Sequence, residues 1–246
     1  MEFKNNLFLP TYISKVVKHM HISFPFYLIL TFLSALSGMT IAYFVKSKLH
    51  KGLKMILSFS GSFLLGVCVF HLLPEVFKNP KSEPGLWIVC GLIFQILLEF
   101  LSQGVEHGHS YNSKNHKIPG LVFFSLCIHS FVEGIPMEEN NPLIWGIFLH
   151  KIPIGMILFV MINKTHESNI VKVFFLLIFA LMSPLGSYLN SYFDFLSEWQ
   201  NAITAFVVGI LLHISTTILY ENNQGHSFNI TKILITLFGL GCAYII

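Results

Sequence analysis

The chain predicts an all-α fold, a polytopic membrane protein of eight transmembrane helices in a two-bundle arrangement, and the count of helices rests on three observations. Of its 246 residues, 54% are hydrophobic and only 11% charged, with a mean hydropathy of +0.68, whereas a soluble domain carries about a quarter charged residues. The apolar residues gather into runs near the ~20 residues that a helix needs to cross a bilayer. Only short polar connections separate the runs, so one eight-span unit, residues 24–246, follows an N-terminal extramembrane segment, residues 1–23.

The runs extend from Phe24 to Val45, Met55 to Phe77, Leu86 to Val105, Ile118 to Met137, Pro142 to Ile162, Val173 to Phe193, Ala202 to Tyr220 and Ile230 to Ile246. The third contains Gln95 and Glu99, and the eighth is short. In the N-terminal segment, Lys15 and Lys18 alternate with Ile13, Val16 and Val17, the pattern of an amphipathic surface helix. No charged start, apolar block and cleavage site of a signal peptide is visible there. Cys68, Cys90, Cys127 and Cys242 form no CxxC pair and are expected as packed small hydrophobes.

Every basic charge is Lys, for the chain has no Arg. The pI near 8.6 is therefore no sign of nucleic-acid binding, and none is expected. Placing the first loop in the cytoplasm puts Lys46, Lys48, Lys51, Lys54, Lys114, Lys117, Lys164, Lys172 and Lys232 inside, and Lys4, Lys15, Lys18, Lys78 and Lys81 outside. That bias orients both termini outward in the cell membrane. The outer loops at Glu138 and Glu139 and from Asp194 to Glu198 then carry acid and no Lys, which concentrates cations at an outer mouth.

Within this apolar background, His129 and Glu133 lie one turn apart in the fourth run and His150 lies mid-length in the fifth. Imidazole and carboxylate are costly in lipid unless a cation or a proton path compensates them. Glu138, Glu139, Asn140 and Asn141 join the two runs so closely that the helices are expected as antiparallel neighbours. At 1.5 Å per residue both histidines sit roughly 14 Å below the outer surface, near the midplane. Glu133 shares a face with His129, and Gly146 at its depth on the next helix is expected to leave room. Two imidazoles and one carboxylate form a set that zinc accepts, with a further position open for water, and an incompletely enclosed site suits transport. His71, Glu133 and His150 are each followed three residues later by Pro74, Pro136 and Pro153, expected to free the carbonyls of Phe70, Val132 and Leu149. Broken helices at mid-depth are common in transporters.

Here the chain resembles the ZIP family of metal transporters. The segment HSFVEG (129–134) is similar to the family's fourth-span signature, FLHKIPIG (148–155) to the fifth and GSFLLGVCVFHLLPE (61–75) to the second. The resemblance runs from about Phe24 onward. It implies a non-enzymatic carrier of a divalent ion, zinc first with Fe²⁺, Mn²⁺ or Cd²⁺ as further candidates, with no required cofactor and His129, Glu133 and His150 as ligands. It also implies a four-helix transport unit moving against a scaffold, import toward the cytoplasm by alternating access, and a homodimer. Positions that build a second metal site in many members are here Ser130, Lys151 and Ile154, and the acid some members carry on the sixth span is replaced by Ser183. The resemblance therefore implies a one-metal variant.

Lys151 lies roughly 15 Å from either surface, beyond the reach of snorkelling, and needs a partner. Its ammonium is expected to fill the space of a second metal and to pair with Glu133 or water. His71 and Glu75 near the outer end of the second span are candidates for handing ions inward. Glu99 and Gln103 are expected at a polar interface, and His213 as a hydrogen-bonded packing residue. His107, His109 and His116, with Glu106, form a loop capable of weak metal collection. Two other classes use the same ligands. One is an intramembrane metal-dependent hydrolase, which lacks an HExxH motif here; the other is a bis-His haem electron carrier on His129 and His150, which leaves Glu133 and Lys151 without a role.

Overall fold

The computed structural model describes residues 26–45, 49–105, 118–139, 141–221 and 230–246. The N-terminal segment and the loop of Glu106, His107, His109 and His116 lie outside the described residues. The described residues are helical, without strands. Long helices occupy the predicted runs: α1 Phe26–Val45, α2 Leu49–Val67, α3 Pro84–Ser102, α4 Gly120–Gly134, α5 Leu143–Asn163, α6 Asn169–Tyr192, α7 Gln200–Glu221 and α8 Ile230–Ile245. A π-helical stretch, Cys68–Leu72, and a short turn, Leu73–Val76, prolong α2. Six of these helices are long and apolar enough to cross a membrane. The other two, α4 and α8, have 15 and 16 residues; at 1.5 Å per residue α4 is about 22 Å long, short of a ~30 Å core.

Local chemistry fixes the helix ends. Ser168 Oγ accepts the Val171 N–H at 3.4 Å and starts α6. Asn141 Oδ1 accepts the Leu143 N–H at 2.9 Å and starts α5. Gln103 turns left-handed, φ 54°, and its N–H returns to the Glu99 carbonyl, which closes α3. Thr31, Ser34, Ser37 and Thr40 on α1 donate to carbonyls three or four residues back, so their hydroxyls need no water.

In the packing, α1 lies on α5 and α6, and α4 on α6. Likewise α7 lies on α3 and α2, and α8 on α2, while α2–α5 and α3–α4 contacts join the two sets. Small residues permit the closest approaches. A Cβ on Gly134 would stand 2.2 Å from the Ser183 carbonyl oxygen, and one on Gly186 would stand 2.2 Å from that of Phe131, so α4 and α6 touch backbone to backbone. Gly91 and Gly209 do the same for α3 and α7, against Phe206 and Ile88. Leu86, Val89, Ile93, Ile96 and Phe100 project from the outer face of α3, an apolar surface suited to hydrocarbon.

The prolines act in three different ways. Before Pro74 the helix widens to i→i−5 bonding, Leu73 N–H to the Cys68 carbonyl, which absorbs the missing donor in a π turn. Pro153 stays inside α5. Pro136 ends α4 outright, and the Val132 carbonyl expected to be free accepts the Ile135 N–H at 3.2 Å.

Candidate metal centre

On α4, His129, Ser130 and Glu133 project from a buried face, and Gly134 beside them lets α6 come close enough to deliver Ser183. On α5, consecutive positions diverge by about 100° around the axis, so His150 and Lys151 serve different partners. His129 Nε2 lies 3.4 Å from Glu133 Oε2, and the rings of His129 and His150 stand edge to face with centroids 6.2 Å apart. All three candidate ligands are at most 1% exposed. The backbones of α4 and α5 are not closely packed as expected of immediate neighbours; long side chains bridge the space between them.

Among the described residues, Lys151 is one of the largest fully buried side chains. Its Nζ lies 2.7 Å from Glu133 Oε1 and donates to Ser130 Oγ at 2.5 Å, and it stands 5.0 Å from the centre of the Phe179 ring, within cation–π range. Ser183 Oγ reaches the Ser130 carbonyl at 2.5 Å, Glu133 Oε1 at 3.1 Å and Ser130 Oγ at 3.3 Å. One carboxylate oxygen therefore faces the Lys151 ammonium and the Ser183 hydroxyl, whose single proton is shared between it and the Ser130 carbonyl, while the other faces His129. A buried charge pair is tolerated when further hydrogen bonds satisfy it, and the two serines supply them.

The three candidate ligands share a neighbourhood without forming a finished chelate: among the described residues no three His, Cys, Asp or Glu groups are arranged to hold a metal ion. Gly146 does not open space beside Glu133, because its Cα faces Leu64 and Val67 of α2, with a Cβ there only 3.0 Å from Leu64. Sequence spacing gives the depth of a helical residue but not the helix's rotation against a third helix.

The remaining candidates stand apart from this cluster. His71 Nε2 is 2.7 Å from the Ala243 carbonyl oxygen of α8, and Glu75 pairs with Lys78 at 2.6 Å. Both line a cavity of about 800 Å³ at the end of the helices that carries Glu138, Glu139 and Asn141. Glu138, Glu139 and Glu198 line it too, together with Lys78, so residues of the two acidic loops share one cavity. Glu99 pairs with His213 across α3 and α7, which gives His213 its hydrogen-bonding partner. Gln103 is exposed at the end of α3. Cys68 and Cys127 are buried free thiols, and Cys90 and Cys242 half-buried ones. Phe179 was not marked by the sequence, since nothing distinguishes it from the other apolar residues of its helix.

A search among curated proteins gives no match. A family model described as ZIP zinc transporter matches residues 118–246, which span α4 to α8 and contain His129, Ser130, Glu133, His150, Lys151 and Ser183. The GSFLLGVCVFHLLPE segment of α2 lies before the matched stretch. A helical chain with six membrane-length apolar helices, matched over more than half its length, is an integral membrane protein that belongs to the ZIP zinc transporter family.

Proposed function

We propose that the protein carries a divalent cation, zinc first, through a single intramembrane site formed by His129, Glu133 and His150, moving it toward the cytoplasm by alternating access. The observation that carries this is the meeting of two imidazoles and one carboxylate, each at most 1% exposed, inside apolar helices. These are zinc-accepting groups. The ion replaces the 3.4 Å His129–Glu133 contact, takes Glu133 Oε2 and both rings, and retains water at any open position. Iron, manganese and cadmium suit the same donors, so geometry and supply set the preference.

Lys151 serves as the resident cation of a one-metal centre. With its ammonium on Glu133 Oε1 and Ser130, the space beside the first ion is already filled. The eight spans follow from the apolar runs and the outward termini from the Lys distribution, with α4 completed by the 135–137 turn and α8 as the last span. Packing of α1, α4, α5 and α6 together, and of α2, α3, α7 and α8 together, supports a transport unit against a scaffold. The acid-lined cavity lies on the outer side and gathers cations.

The test is radioactive zinc uptake into proteoliposomes by the wild type and by His129→Ala, Glu133→Ala and His150→Ala. Wild-type uptake with loss in each variant is expected; equal uptake by all four removes the site.

A further inference from the structure

Because α4 ends at Gly134, the carbonyls of Pro136 and Met137, one turn beyond Glu133, need partners from outside the helix. They find them on two different helices. Ser187 Oγ of α6 donates to the Met137 carbonyl at 3.1 Å. Gln200 Nε2, at the first residue of α7, donates to the Pro136 carbonyl at 3.3 Å. Gln200 Oε1 in turn accepts from Asn190 Nδ2 of α6 at 3.0 Å. The next residue reaches the other way: Asn201 Nδ2 donates to the Val76 carbonyl at 3.1 Å and to Ser82 Oγ at 2.5 Å, at the α2 end and the loop after it.

We infer that Gln200 is a positioning residue for transport, a latch that holds the α4–α6 pair to α7 on the side of the acidic cavity and opens in each cycle. The inference rests on the alternating-access function proposed above. The Ser187 bond lies within the pair that carries Glu133 and Ser183, whereas both Gln200 bonds cross from that pair to the helix packed on α2 and α3. Asn201 ties α7 to its own neighbours, so beside the α2–α5 and α3–α4 packing the first turn of α7 adds a side-chain hydrogen-bonded link between the two sets. Gln200 also lines the acidic cavity. The network is incompletely satisfied, for Asn190 Oδ1 is buried without a hydrogen-bond partner. Such a network is held less firmly than a saturated one, as a contact that must break and re-form requires.

In proteoliposomes, Gln200→Ala is expected to raise the KM for external zinc about three- to tenfold, the effect of one or two hydrogen bonds on a two-state equilibrium, without lowering the maximal rate. Ser187→Ala, which breaks no contact between the two sets, is expected to leave KM within about twofold. An unchanged KM in Gln200→Ala, or an equal rise in both variants, overturns the latch. A second test is independent of how the alanine variants fold. In a variant whose four native cysteines are replaced, Asn190→Cys and Gln200→Cys are bridged by a short, reducible bis-thiol reagent. Bridging is expected to stop uptake and reduction to restore it. Uptake at the unbridged rate by fully bridged protein overturns the latch, while absence of uptake by the wild type overturns the transport function and the latch with it.

Discussion

At the scale of the residue, the centre is defined by how Glu133 divides its two oxygens, one toward Lys151 and Ser183, the other toward His129. Removing one partner of a buried pair leaves an uncompensated charge and costs about 3–5 kcal/mol. Lys151→Ala is therefore expected to lower unfolding stability in detergent by about that amount, and Lys151→Ala with Glu133→Gln to recover most of it; additive losses in the double-mutant cycle would contradict the pair. Lys151→Ala also changes zinc affinity or selectivity in the uptake assay, and unchanged uptake contradicts its role as resident cation. The candidate ligands were legible in the sequence because ionisable residues in apolar runs are rare and their spacing is local. Phe179, Asn190 and Gln200 were not, because their significance comes from the helix each one faces. For the same reason the sequence misplaced Gly146, whose depth was readable but whose facing was set by α2.

At the scale of the element, the helices were largely legible in the apolar runs, with ends moved by a few residues. The second run starts earlier than predicted, at Leu49 rather than Met55, and α4, predicted to Met137, ends at Gly134, because Pro136 supplies no N–H and Ile135 turns back to the Val132 carbonyl. Helix pairing could not be read, since it depends on small residues whose partners lie elsewhere in the chain. The α4–α6 contact makes this testable. Gly186→Ala places a Cβ 2.2 Å from the Phe131 carbonyl oxygen, a backbone atom that cannot yield without shifting the helix. A stability loss of about 1–3 kcal/mol is expected, read as a lower melting temperature in detergent. Gly241→Ala, with nothing within 4 Å of its added Cβ, is expected to be neutral. Equal melting temperatures for both variants and the wild type would contradict the close approach.

At the scale of the whole molecule, the proposed function makes the acid-lined cavity the entrance to the buried centre. Glu138, Glu139 and Glu198 line the mouth without ligating the centre, so their contribution is a long-range field that salt screens. Neutralising all three as glutamines is expected to raise the KM for zinc at low ionic strength and to have little effect near 1 M salt, where the Debye length falls to about 3 Å; a salt-independent change would contradict a steering role. Transport through this centre depends most on one divalent ion binding to two imidazoles and one carboxylate. Zinc-edge X-ray absorption of the purified, zinc-loaded protein measures this directly. The predicted result is one bound zinc per chain with two histidine nitrogens and carboxylate oxygen at about 2.0–2.2 Å, and loss of the imidazole signal in His129→Ala with His150→Ala. Two zinc ions per chain, or an imidazole signal that survives the double substitution, would contradict it.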